Sequence, residues 1–293
     1  MSITCRVIGF SLVFFLFSWG SARADSTYRP TGEARSFGVL NQRSAVLTAQ
    51  YWNPILRYVS KKTGVPLELK MGKTAPETSA MIGRGEFDFA YSFHIFSPAN
   101  TRAGYKVFAR PVEPPIQGQI VVPENSPVQT IKDLDGKEVG FPSTVAFVGY
   151  AVPMNALLHA GTKVKPVFAG NQEGIMGQLK AGRIMAAGVN SQVMRDYGRR
   201  EHYRYRVLWA SEDYLNLPIS AHPRVPAQEV VAVRDALVNM AADPEGLKVL
   251  EASAAVIKQQ PPYGFMAADD RDYQNYPRYF KTTLVRDCDG CPR

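Results

Sequence analysis

Glu138-Val139-Gly140-Phe141-Pro142-Ser143-Thr144-Val145-Ala146-Phe147 reads as a short strand, a polar turn and the opening of a helix. The helix follows from Phe147, Ala151, Met154 and Leu158, apolar positions at helical spacing. Pro153 falls inside that stretch and predicts a kink there. A strand-to-helix turn of this kind presents unpaired backbone N–H groups and the positive end of a helix dipole. Here it adds two hydroxyls, so Ser143 and Thr144 could cradle a tetrahedral oxyanion. An ordinary helix cap uses the same residue types.

Strand and helix signals alternate on both sides of this unit. Upstream, residues 36–40 read as a strand. Trp52, Ile55, Leu56 and Val59 then form one helical stripe that Gly64 closes. Residues 66–71, 87–91 and 106–109 read as strands, with a helix over 78–85. The prolines of 111–115 break the series, and 117–122 is extended again. Downstream come strands at 137–141, 164–168, 184–189 and 206–210 and a helix at 173–180. Residues 217–221 are extended, and the chain then turns helical. Asp243-Pro244-Glu245 is a strong helix start, and Val230, Val233, Leu237 and Met240 stripe the helix before it.

This order predicts an α/β protein of two lobes, each a mostly parallel sheet flanked by helices. The expected division is 36–118 plus 219–287 for the first lobe and 119–218, inserted, for the second. Residues 288–293 form a tail. Two crossings between lobes make a hinge, and open α/β sheets bind ligands at the carboxyl ends of strands. The cleft between lobes is therefore the expected site.

The 293 residues carry 34 Lys and Arg against 26 Asp and Glu, with 45% hydrophobic residues. That composition excludes a disordered chain, a coiled coil and a collagen-like repeat. Arg6, the apolar run 7–19 and Ala22-Arg23-Ala24 read as a signal peptide over 1–24, cleaved before Asp25 for export to the periplasm. Its removal lowers the formal charge from +8 to +6. A basic exported protein favours a small anionic ligand, and no nucleic-acid module is found. Cys288 and Cys291 are spaced C-x-x-C in the tail and could close a small local disulfide, stay free or pair between chains.

Four loops point at the predicted cleft: Asn41-Gln42-Arg43, Tyr91 to His94, the Ser143-Thr144 turn with Val145, and Asn171-Gln172 with Asn190-Ser191 beside it. Tyr91 and His94 could donate to an anion or simply pack; Arg43 could supply charge or stay solvated. The histidines share no ligand spacing, so neither metal nor cofactor is expected. No nucleophile elbow, phosphate-binding glycine loop or metalloprotease helix is present, which argues against an enzyme.

The chain resembles the phosphonate/phosphite-binding (PhnD-like) substrate-binding proteins of ABC transporters over roughly 37–250. The resemblance rests on Phe37-Gly38-Val39-Leu40, Trp52-Asn53-Pro54-Ile55-Leu56, Gly85-Glu86-Phe87-Asp88-Phe89-Ala90, residues 131–141, and Ser143-Thr144 followed by Gly149-Tyr150-Ala151-Val152-Pro153. It implies a type II periplasmic-binding fold and a monomer that closes on a phosphonate, phosphite or phosphate and delivers it to an ABC permease. It also implies that Ser143 and Thr144 hold the phosphoryl oxygens, with Tyr91 beside them and His94 within reach. A subunit that docks on a sensor kinase, or a binder of a non-phosphorus organic anion, is the alternative. The chain departs from the family pattern at Val145 and Ala146, at Asn171-Gln172, and at Met185, where the family has an acid. A ligand without an amine is therefore expected.

Overall fold

The computed structural model describes residues 32–286, which form two sheets flanked by helices. The first takes β1 (Arg35–Val39), α1 (Ala45–Thr63), β2 (Leu67–Lys70), α2 (Ala75–Gly83), β3 (Phe89–Tyr91) and β4 (Lys106–Pro111). The chain crosses to build the second from β5 (Gly118–Pro123), β6 (Glu138–Phe141), α3 (Val152–His159), β7 (Lys165–Phe168), α4 (Gln172–Lys180), β8 (Ala187–Asn190), α5 (Ser191–Arg200) and β9 (Tyr205–Ala210). It then returns for β10 (Ile219–Ala221), α6 (Ala227–Val238), α7 (Pro244–Ile257), β11 (Phe265–Ala267) and α8 (Asn275–Thr282). Strand order is β11-β4-β10-β3-β1-β2 in the first sheet and β7-β6-β8-β5-β9 in the second.

The two-lobed α/β architecture agrees with the sequence, but the sheets are mixed rather than mostly parallel. β1 runs parallel to β2 and β3, and β6 parallel to β7 and β8. In contrast, β10 is antiparallel to β3 and β4, and β5 to β8 and β9. The crossings cause this. β5 runs away from the hinge and β9 runs back to it, side by side, so no helical crossover restores a common direction. Where the crossings pass, Ile116 and Tyr214 exchange backbone hydrogen bonds of 2.7 and 2.8 Å.

Local chemistry sets the elements. The Ser44 hydroxyl accepts from Leu47 N at 3.3 Å to start α1, and Gly64 ends it in the left-handed region at φ 73°. Trp52, Ile55, Leu56 and Val59 are buried, as their spacing predicts. Asp243 caps α7 through Glu245 N at 2.8 Å. The expected kink at Pro153 is absent. The irregularity comes earlier, as a π-helical turn over Phe147–Ala151, and Pro153 then sits in the first turn of α3, where its missing N–H costs little. β8 starts at Ala187 rather than 184, which leaves Met185 outside the strand and exposed.

Two segments cross the lobe boundary besides the hinge. Phe147 is buried among first-lobe aromatics, stacked on Tyr276 at 4.6 Å and edge-on to Tyr279 at 4.9 Å. In return, Tyr279 donates its hydroxyl to Ala151 O at 2.6 Å, and Leu284 N donates to the Asn155 side chain at 2.9 Å. Val285 is buried in the second lobe's core. The segment read as a signal peptide, Cys288, Cys291 and the tail lie outside the described residues. Among the described residues, no helix is long and apolar enough to cross a membrane, and no cluster of three metal-ligating side chains occurs.

Candidate functional site

The carboxyl ends of β1, β3, β6 and β8 meet between the lobes. Two adjoining cavities lie there and share Leu40 and Gln42 as walls.

The larger cavity is built mostly on the turn between β6 and the π turn. Ser143 lies two residues past the end of the strand and is 5% exposed, and its Oγ has no hydrogen-bond partner. Ala146 N closes the turn on Ser143 O at 3.2 Å. The backbone then winds through Phe147, Val148 and Gly149, whose first-turn N–H groups have no partner within the helix. Across the cavity stand Asn41, Gln42, Leu40, Ala75 and Phe93 of the first lobe. Gln172, at the start of α4, completes the wall; its Oε1 accepts from Asn190 N at 3.1 Å, which leaves its amide nitrogen to face Gly149. A Cβ on Gly149 would sit 2.2 Å from that nitrogen. The lining is apolar with neutral donors, and no carboxylate borders it.

The smaller cavity is lined by Gln42, Arg43, Thr48, Tyr51, Trp52 and Tyr91. The Arg43 Nη2 atom reaches Asp196 of α5, in the other lobe, at 3.3 Å, while its Nε is buried without a partner. Asp196 also accepts from Arg199 at 3.1 Å. Burial raises the Asp196 carboxyl, and the neighbouring arginines pull it back. Burial likewise pushes the Tyr51 and Tyr91 hydroxyls up, so both are proton donors at neutral pH.

Behind this cavity, at the hinge, lies Glu113. It accepts hydrogen bonds from the side-chain amides of Asn216, on the second crossing, and Gln259, after α7. Asn216 also donates to Gln192 Oε1 of α5 at 2.6 Å. Burial raises the Glu113 carboxyl against these donors.

The expected site residues therefore divide. Ser143, Val145 and Gln172 line the larger cavity, and Arg43 and Tyr91 the smaller one. His94 is fully buried but turned away, donating from Nε2 to Val145 O at 2.9 Å; it borders a third cavity instead. Thr144 is half-buried in the turn and borders neither cavity. Asn171 caps α4 through Gly174 N at 2.8 Å. Asn190 caps α5 with its oxygen, accepting from Gln192 N at 2.9 Å, and its buried side-chain nitrogen has no partner. Sequence reasoning missed Gly149, Tyr51, Glu113, Gln192, Asp196 and Asn216. Tyr51 adjoins the apolar stripe at Trp52, which was the available signal. Asp196 lies between Arg195 and Arg199 and reads as surface charge.

A model of the periplasmic substrate-binding proteins of ABC phosphonate transporters matches residues 37–273. No curated protein matches the chain. Among solved structures, a binding-protein component of an ABC phosphonate transporter from Pseudomonas aeruginosa is similar at 18% identity and TM-score 0.69, over 84% of this chain and 83% of that one. PhnD1 from Prochlorococcus marinus, in complex with methylphosphonate, is similar at 14% identity and TM-score 0.69, over 85% and 98%. XAC2383 from Xanthomonas citri, bound to chloride, follows at 16% identity and TM-score 0.65, over 84% and 96%. At these identities the structural likeness carries the fold.

Proposed function

The chain belongs to the family of periplasmic substrate-binding proteins of ABC phosphonate transporters, and from that premise we propose that it captures a small phosphonate- or phosphite-class oxyanion in the larger cavity. Family membership makes it a periplasmic component with a small ligand and an ABC permease as partners, not an enzyme. The sensor-kinase and non-phosphorus readings of the sequence are not favoured by it.

The observation that carries the ligand class is the unpartnered, buried Ser143 Oγ beside the first-turn amides of 147–149. A tetrahedral oxyanion would take those donors without a full cationic partner. Gln172 would contribute amide N–H groups, and the apolar wall from Leu40, Phe93 and Val148 would take a short alkyl substituent. No carboxylate borders the cavity, which supports a ligand without an amine. The moving bodies in this reading are 36–118 plus 219–287, less the stretch around Val285 that packs into the second lobe, and 119–218, and they close about the Ile116–Tyr214 crossings. The protein acts as a monomer, which size-exclusion chromatography checks, after cleavage behind Ala24, which N-terminal sequencing of the exported form checks.

A thermal-shift panel of phosphite, phosphate, methylphosphonate, 2-aminoethylphosphonate, sulfate and small carboxylates tests the reading. A ligand at 100 times its dissociation constant stabilises by about 2.7 kcal/mol. For a chain of this size that is a rise of roughly 5–10 °C. The rise is expected with a phosphorus oxyanion, and its absence with all of them rejects the site. Ser143→Ala should then cost about 1.5–3 kcal/mol of binding, roughly ten- to a hundredfold. Thr144→Ala should cost less, because Thr144 borders neither cavity.

A further inference from the structure

The smaller cavity has a chemistry of its own. It holds one cation, Arg43, whose Nε is buried without a partner, and two tyrosines, Tyr51 and Tyr91, that burial keeps protonated. It shares Leu40 and Gln42 with the cavity that contains Ser143, so the two adjoin. A carboxylate already sits on the guanidinium, that of Asp196 from the opposite lobe. Its contact is long for a charge-assisted bond, 3.3 Å against about 2.7–2.9 Å. Asp196 also keeps a second partner, Arg199, at 3.1 Å, so it can yield Arg43 without being left unpaired. Glu113, the other buried acid nearby, is occupied by the Asn216 and Gln259 amides.

We propose that Arg43 forms a second anion subsite, and that the ligand carries two acidic groups: a phosphonate at Ser143 and a carboxylate one or two carbons away, which takes over the Arg43 guanidinium from Asp196. The inference rests on the phosphonate reading of the larger cavity and narrows it to phosphonocarboxylates.

Calorimetry on the purified exported protein tests this with methylphosphonate, phosphonoacetate and 2-aminoethylphosphonate. Phosphonoacetate should bind at least about tenfold tighter than methylphosphonate. Arg43→Gln should bring that ratio close to one, and Arg43→Lys should keep part of it. Asp196→Asn should raise the ratio, because a competing anion is gone. A wild-type ratio near one overturns the proposal, as does 2-aminoethylphosphonate binding tightest. An Arg43→Gln protein that weakens both ligands in equal proportion also overturns it, since Arg43 would then only join the lobes. Methylphosphonate binding without a phosphonoacetate advantage removes this inference alone; no phosphonate binding at all removes the underlying reading with it. Melting curves of each variant show that it is folded, and the wild-type comparison needs no variant.

Discussion

Asp88 shows how one residue can look functional and serve the fold. In the sequence it is the acid of the Gly85-Glu86-Phe87-Asp88 stretch that carries the family resemblance. Its Oδ2 accepts from Ser36 N at 2.8 Å and Ser36 Oγ at 2.9 Å, and its Oδ1 takes Arg224 Nε at 2.8 Å. It thus ties the starts of β1 and β3 to the segment after β10. Burial raises its carboxyl, but the Arg224 and Ser36 bonds outweigh that and hold it below the usual range. Asp88→Ala should lose roughly 2–3 kcal/mol in urea unfolding, from charge-assisted bonds in a partly buried place, with ligand affinity kept. An unchanged midpoint would contradict this. Ser143 is the opposite case: its place after the strand made it legible, while its lack of a partner became visible only with the surroundings in view. Arg43 and Asp196 are 153 positions apart, and no spacing rule reaches across the cleft.

Among the elements, the turn from β6 into α3 was legible as a strand-turn-helix unit, because strand periodicity, turn chemistry and helical spacing are all local. Its π turn was not. The sequence offered Pro153 as the irregularity, whereas the extra residue is accommodated before it, where Gly149 lets the backbone pass Gln172 and Pro142. Gly149→Ala would put a methyl group against both and displace the Gln172 amide from the cavity wall. Affinity for the phosphorus oxyanion should fall by about tenfold or more, the scale of one lost buried hydrogen bond plus the displaced wall, while the far-ultraviolet circular dichroism spectrum stays the same. Retained affinity would argue that Gln172 is not part of the site. Strand direction was the other misreading: alternating β and α signals describe βαβ units well, but do not report the strands that travel between lobes.

For the whole molecule, Glu113 couples the hinge to pH. Its carboxyl rests among the amides of Asn216 and Gln259, and burial raises it from the ordinary 4.5. An acid whose folded value lies above its unfolded one contributes stability at low pH, and loses it as pH climbs through the folded value. Relative to Glu113→Gln, the wild type should therefore lose melting temperature as pH rises from about 4.5 towards and past that raised value. A difference of opposite slope would show that the carboxylate is better accommodated than its burial implies. Two lobes and a cleft could be inferred from the order of elements along the chain. The exchange of segments across the lobe boundary could not, because it depends on where single side chains such as Phe147 and Val285 come to rest. Val285 has a further consequence, for the order of assembly. The second lobe is otherwise a continuous stretch, 118–210, and could be thought able to mature as soon as it leaves the ribosome or translocon. Its core nevertheless includes a side chain some 75 positions further on. The first lobe likewise waits for β10 and β11. The second lobe cannot complete its core until residue 285 has been made, nor the first its sheet until β11 has, so each half depends on a segment that comes late in the chain.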